Sequence, residues 1–214
     1  MPRFSKQTLV PRLTPVEPPY DPETAQALRA LGPPLALFRI FARRPERAEG
    51  IRQWGRYYMS RRSALSLRHR ELVIDRTTAR CGAEYEWGIH IALFADKVGL
   101  DAEQIRSLVT GTPDDACWTE PADRAVIRAV DGLYGAGDLA DDQWQELIAA
   151  VGSEAAVDLL LVCGWYHAIS FVARALRLPP EPGTPAFSDY RRPRPNERDS
   201  EDALTDATGQ TPVL

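Results

Sequence analysis

The chain has 214 residues, a formal net charge of −4 from 26 basic and 30 acidic side chains, and 44% hydrophobic residues. That is enough apolar material for one folded domain with a sizeable core, and the interspersed, near-balanced charge excludes a chain built chiefly to hold nucleic acid. Three widely spaced cysteines, Cys81, Cys117 and Cys163, exclude a disulfide framework and fit a reducing cytoplasm.

Residues 1–20 carry Pro2, Pro11, Pro15, Pro18 and Pro19, which rules out regular helix over most of that span and predicts an extended arm. The arm has no long apolar run and does not read as a secretory signal. From residue 21 to 178 the pattern is one helix after another. Asp21 and Pro22 start the first, a capping side chain followed by proline at the first helical position, and Gly32 closes it. Helices follow over about 34–43 and 46–63, and Ser66 caps another that runs to Arg80 and stops at Gly82. Positions 84–98 form a helix apolar on every face, ended by Gly99. Asp101 and Gln104 make a capping box for a short helix to about 110. Pro121 opens 120–134, Asp141 opens 142–150, and Ser153 opens a long helix to Leu178.

Residues 155–173 of that last helix are long enough to span a membrane. Asp158, His167 and the modest hydrophobicity elsewhere point instead to a central core helix with no membrane role. No segment alternates with period two, so no strand is expected and the fold class is all-α. Residues 179–214, with seven prolines among charged and small residues, read as a tail that is disordered or wraps a partner subunit.

Chemistry concentrates in Ala79–His90, "ARCGAEYEWGIH". Glu86 and His90 are four residues apart and share a helix face. Glu84 and Glu86 fall in the first turn after Gly82, where free amides favour anions, so the plain reading makes both helix stabilisers and His90 a hydrogen-bonded core histidine. Cys81, Glu84, Glu86 and His90 include metal-ligand types, but no second cluster has ligand spacing, and no metal or other cofactor is expected.

The longer stretch Arg70–His90, "RELVIDRTTARCGAEYEWGIH", together with "VGL" at 98–100 and "GWYH" at 164–167, resembles the carboxymuconolactone decarboxylase and alkylhydroperoxidase D superfamily. The resemblance implies an all-helical bundle over 21–178 and assembly into dimers, trimers or hexamers. The peroxidase branch uses a glutamate, a CxxC pair and a histidine at fixed intervals. Glu71 and His90 match the glutamate and the histidine, whereas Ala83 and Glu86 occupy the two thiol positions. A disulfide-exchange peroxidase needs an attacking and a resolving thiol, so the resemblance favours the decarboxylase branch. That implies cofactor-free acid–base chemistry on a small organic acid or lactone, with His90, Glu86 and Glu71 as the catalytic group. Tyr85, Trp87, Glu84, Tyr166 and His167 are candidates to line the pocket, with structural packing the plainer role. Arg76, within the run Arg61, Arg62, Arg68, Arg70, Arg76 and Arg80, is a candidate anion clamp, or else part of a solvated, ion-paired face. Two alternatives stand beside this: a peroxidase using Cys81, and a non-catalytic oligomeric module of the same fold.

Overall fold

The computed structural model describes residues 10–191. Among them are ten α-helices and no strand: α1 (Pro22–Leu31), α2 (Ala36–Phe41), α3 (Pro45–Tyr58), α4 (Leu67–Arg80), α5 (Glu84–Phe94), α6 (Ala102–Thr110), α7 (Pro121–Ala136), α8 (Asp141–Val151), α9 (Ser153–Leu176) and α10 (Phe187–Tyr190). The all-α expectation holds.

The expected start signals act as local chemistry. The Asp21 carboxylate accepts the Thr24 amide at 2.9 Å ahead of Pro22, Ser66 accepts the His69 amide, and Asp101 and Gln104 satisfy each other's backbone in a capping box. Two boundaries differ from the sequence reading by more than two residues. The helix expected to reach residue 63 ends at Tyr58, because Asp158 of α9 takes the Ser63 hydroxyl and the Ala64 amide at 2.8 Å each and pulls the chain off the helical path. The helix expected over 84–98 is α-helical only to Phe94 and then tightens into a 3-10 turn at Asp96–Val98. Gly99 adopts the left-handed conformation there (φ 66°), and Leu100 returns its amide to the Ala95 carbonyl.

Helix α4 is the axis of the bundle, packed by α5, α6, α7 and α9. Every residue from Arg70 to Thr78 is buried, including Arg70, Glu71, Asp75 and Arg76. So many ionisable groups inside a bundle require partners, and the partners decide where the site lies. A main core gathers Leu72, Ile74, Trp87, Trp118, Ile127 and Leu159. A second, smaller cluster gathers Leu37, Ile40, Phe41, Tyr85, Ile89 and Ile169 where α2, α5 and α9 meet.

Part of each expected terminal extension belongs to the body. Arg12 donates its amide to the Leu176 carbonyl at 2.9 Å, tying the arm to the end of α9. Residues 179–191 cross α5 on this same chain, where Phe187 and Tyr190 pack on Trp87 at 4.8 and 5.7 Å between ring centroids. Gly88 permits that crossing, since a β-carbon there would fall 2.7 Å from the Pro185 carbonyl oxygen. The remainder of the expected arm and tail, 1–9 and 192–214, lies outside the described residues.

Candidate functional site

Three helices bring the central group together. Helix α4 supplies Glu71, fully buried; α5 supplies Glu86 and His90 one turn apart; α9 supplies Tyr166. His90 Nδ1 lies 2.7 Å from Glu71 Oε2, and its Nε2 lies 3.1 Å from the Tyr166 hydroxyl and 3.6 Å from Glu86 Oε1. The other oxygen of Glu71 receives Arg70 Nε at 3.3 Å. Glu71 is thus engaged on both oxygens, behind the imidazole.

Glu86 differs. It is only 7% exposed, and its Oε2 has no hydrogen-bond partner. Glu86, His90 and Tyr166 form the polar end of a cavity of about 460 Å³. Its walls are apolar and largely aromatic: Phe38 and Phe41 from α2, Trp54 from α3, Phe94 from α5 and Trp165 from α9. Trp54 and Trp165 stack at 4.3 Å between centroids, and Phe94 stacks beside His90. Arg52 and Arg56 also border the cavity. Arg52 is held by Glu49 at 2.6 and 2.7 Å, whereas Arg56 is exposed and makes no ion pair among the described residues.

The electrostatics follow from burial and neighbours. Desolvation alone would lower the affinity of His90 for a second proton, but the charge of Glu71, the hydrogen bond that His90 Nδ1–H donates to it, and the nearby carboxylate of Glu86 outweigh it and push the pKa up to about 10. His90 is therefore an imidazolium at neutral pH, a donor on both nitrogens. Asp75, one turn beyond Glu71 on α4, is fully enclosed with Oδ1 unpartnered. Burial and then repulsion from Glu71 hold its carboxyl pKa well above the usual range. Burial and the charge of Glu86 likewise keep Tyr166 a phenol. The group thus presents a hydrogen-bond-donating pair, His90 and Tyr166, beside an acceptor, Glu86 Oε2, at the end of an otherwise apolar space.

Of the residues singled out from sequence, His90, Glu86 and Tyr166 border the cavity, with Glu71 directly behind. The others lie elsewhere. The Tyr85 hydroxyl donates to Glu181 Oε1 at 2.7 Å and accepts the Leu37 amide at 3.0 Å, so it anchors the start of α2 rather than facing the cavity. Trp87 has no exposed surface and packs under Phe187. Glu84 accepts the Phe187 amide at 2.8 Å. His167 stacks between Tyr134 and Phe171 on the outer side of α9. Arg76 is a structural tie: it binds both oxygens of Asp131 at 2.7 Å and the carbonyls of Ser107, Leu108 and Gly111. Arg68 and Arg80 are spent on Asp123 and Asp131, and none of the six arginines of that run borders the cavity.

Cys81 does not border it either. It is buried, its carbonyl holds Arg174 at 2.6 Å, and burial pushes its thiol pKa up. Cys117 and Cys163 are raised by burial too. Among the described residues, no group of three or more His, Cys, Asp and Glu side chains is arranged to hold a metal ion. The sequence reading missed the cavity's aromatic walls. Phe38 and Phe41 lie in "ALFRIF" of α2, within the helix expected over about 34–43, but nothing local in that run shows that it faces His90.

The fold is shared with the crystal structure of an uncharacterized peroxidase-related protein from Silicibacter sp. TM1040, with a TM-score of 0.65 over 82% of this chain and 96% of that one. Sequence identity is 18%, so the likeness is one of fold. No family model matches the sequence, and no curated protein matches it. The class defined by fold and geometry is an all-helical bundle, built like that peroxidase-related protein, with a histidine–carboxylate–tyrosine group closing an aromatic cavity.

Proposed function

We propose that this protein is an enzyme of the carboxymuconolactone decarboxylase and alkylhydroperoxidase D type that performs cofactor-free acid–base chemistry on a small organic acid or lactone. The observation that carries the reading is the unpartnered Oε2 of Glu86 beside the donors of His90 and Tyr166 at one end of the cavity. A buried carboxylate oxygen without a protein partner is costly, and a substrate proton would satisfy it.

The step follows from that polarity. A substrate carbonyl oxygen accepts hydrogen bonds from His90 Nε2–H and the Tyr166 hydroxyl, which stabilise negative charge as it develops there. In an isomerisation, Glu86 Oε2 takes a proton from the adjacent carbon, the C–H electron pair moves towards the carbonyl, and the proton returns at another carbon. In a decarboxylation, the C–C bond to the carboxylate breaks, CO2 leaves with its oxygens, and the electron pair left behind is held as an enolate until its carbon takes a proton from His90 Nε2–H, which solvent then replaces. Glu71 acts through His90 by fixing its Nδ1–H. The aromatic walls favour a substrate with a hydrocarbon body, and Arg56 offers an anionic group a partner at the border.

The peroxidase reading draws on the printed description of the structural neighbour, but it needs a reactive thiolate, and all three thiols have raised pKa values away from the cavity. The three unpaired cysteines accord with a reducing cytoplasm. The test is capture of small molecules from a metabolite mixture by wild type and by His90→Ala and Glu86→Gln, followed by turnover of what is captured. Loss of turnover by about two to four orders of magnitude in both variants supports the reading. A cavity that captures nothing would return the protein to the non-catalytic module.

A further inference from the structure

Met59 brings a sulfur to the polar end of the cavity. The chain has two methionines, and the other, Met1, lies outside the described residues. Met59 is the first residue after α3, half-buried, and among the described residues it is the only sulfur-bearing side chain that borders the cavity. Its Sδ lies 3.7 Å from the Tyr166 hydroxyl, whose oxygen lies 3.1 Å from His90 Nε2. With the imidazole protonated, His90 Nε2–H donates to the Tyr166 oxygen and the Tyr166 O–H donates to the sulfur. A thioether is a weak acceptor, so it gains little from that contact. It is also soft and polarisable, a nucleophile here with a line of proton donors ending on it.

We propose that Met59 is a modification site, converted to methionine sulfoxide by hydrogen peroxide entering the cavity, with Tyr166 and His90 supplying the proton that the transfer requires. Hydroxide leaves poorly, so the departing oxygen must be protonated as it goes. A lone pair on Sδ attacks one oxygen of the peroxide, and the S–O bond forms as the O–O bond breaks. The other oxygen takes the Tyr166 proton, which His90 Nε2–H replaces, and leaves as water. The oxygen now on sulfur gives its proton to Glu86, which borders the same cavity, and the sulfoxide results. Sulfur has lost two electrons and the peroxide has gained them. His90, Tyr166 and Glu86 together hold as many protons as before. No thiolate takes part. The sulfoxide is polar where the thioether was apolar, and its oxygen accepts the Tyr166 hydroxyl. That occupies one of the two donors offered to substrate, a consequence that rests on the proposed acid–base chemistry, whereas the modification itself does not. Return to the thioether requires an external methionine sulfoxide reductase.

The experiment treats the full chain with hydrogen peroxide at neutral pH, with N-acetylmethioninamide in the same tube as a reference thioether. Peptide mass spectrometry follows the added oxygen on residues 57–61, a tryptic fragment that holds Met59 and no cysteine, so thiol oxidation is not counted. Met59 should be oxidised about two orders of magnitude faster than the reference, the low end of what a positioned proton donor contributes. In the urea-unfolded chain it should react at the reference rate. Tyr166→Phe, shown to be folded by circular dichroism, should fall to the reference rate or below. The His90 ring resonance of wild type should shift as Met59 is oxidised. Met59 reacting no faster than the reference, the result that shielding by partial burial gives, would overturn the proposal. So would a folded Tyr166→Phe chain that keeps the wild-type rate, or complete oxidation of Met59 that leaves the His90 resonance unmoved. Every readout is taken without substrate, so failure here leaves the acid–base reading standing, and failure of that reading leaves this one.

Discussion

Glu71 and His90, nineteen positions apart in the chain, meet at 2.7 Å inside the bundle with neither side chain more than 8% exposed. The contact is made because α4 and α5 fold back on each other across Cys81–Ala83, with Gly82 taking a positive φ of 65°. Its charge, with that of Glu86, keeps the imidazole protonated.

The first prediction is a pH dependence. The His90 pKa rises on folding from about 6.5 to about 10. A raised pKa contributes stability that is fully present below the unfolded value and lost as pH rises through the folded one. Stability should therefore decline across roughly pH 6.5–10, and Glu71→Gln should flatten that decline. The His90 ring, followed by NMR, should stay protonated at pH 8 in wild type and titrate at lower pH in Glu71→Gln. A His90 resonance that titrates near 6.5 in wild type would remove the ion-pair account.

Asp75 should behave in the opposite sense on substitution. Its folded pKa is raised by burial and by Glu71, so this group costs stability at pH values above the unfolded carboxylate value near 3.8. Asp75→Asn keeps the shape and removes that cost. The melting temperature should increase by a few degrees at pH 8, with the gain shrinking towards pH 4. Thermal scans of both proteins at the two pH values check it.

Much of this was legible in the sequence, and the limits have physical causes. The caps Asp21, Ser66 and Asp101 act through their nearest neighbours, so their helices could be placed from local residues alone. The early end of α3 could not, because it depends on Asp158, almost a hundred positions away. The pairing of Glu86 with His90 follows from helical spacing, but it places the two only 3.6 Å apart. The shorter contacts of His90, to Glu71 and Tyr166, come from other helices. Trp87 and Glu84 share α5 with the site, yet they turn towards residues 187–190, a contact no spacing within α5 could reveal.

Arg76 supplies a stability prediction that separates it from the site. It is 1% exposed, and its guanidinium joins Asp131 of α7 to three carbonyls around the end of α6. Removing one partner of a buried ion pair costs about 3–5 kcal/mol. Arg76→Ala should lose that much in denaturant unfolding, while Arg56→Ala, at the exposed border of the cavity, should stay within about 0.5 kcal/mol of wild type. Equal losses would mean that the two arginines have been assigned the wrong roles.

The thiols should be dispensable. With all three pKa values raised, iodoacetamide should label the folded protein slowly at pH 7.5 and rapidly once it is unfolded. Cys81→Ser should leave turnover of any captured substrate within about twofold of wild type. Hydroperoxide reduction that is present in wild type and absent in Cys81→Ser would instead place the chemistry on the thiol.

The last prediction separates Glu86 from Glu71, which sequence alone left as two carboxylates of one group. Glu71 is engaged on both oxygens, whereas Glu86 borders the cavity and its Oε2 is unpartnered. If Glu86 takes the substrate proton, Glu86→Gln removes the base while the amide still fills the space. The rate constant kcat should fall by about two to four orders of magnitude with KM little changed, since the lost interaction is made in the transition state. Glu71→Gln should act differently. It weakens the hold on His90 Nδ1 and lowers the imidazole pKa, so activity should fall at high pH and partly recover at low pH, where His90 regains its proton. A pH–rate profile for the two variants tells these patterns apart. The double variant should be little worse than Glu86→Gln alone, because residues acting on one step lose their effects together. Glu71→Gln and Glu86→Gln giving parallel, pH-independent losses would show instead that both carboxylates merely hold the fold around His90, and the base would have to be sought elsewhere along the cavity.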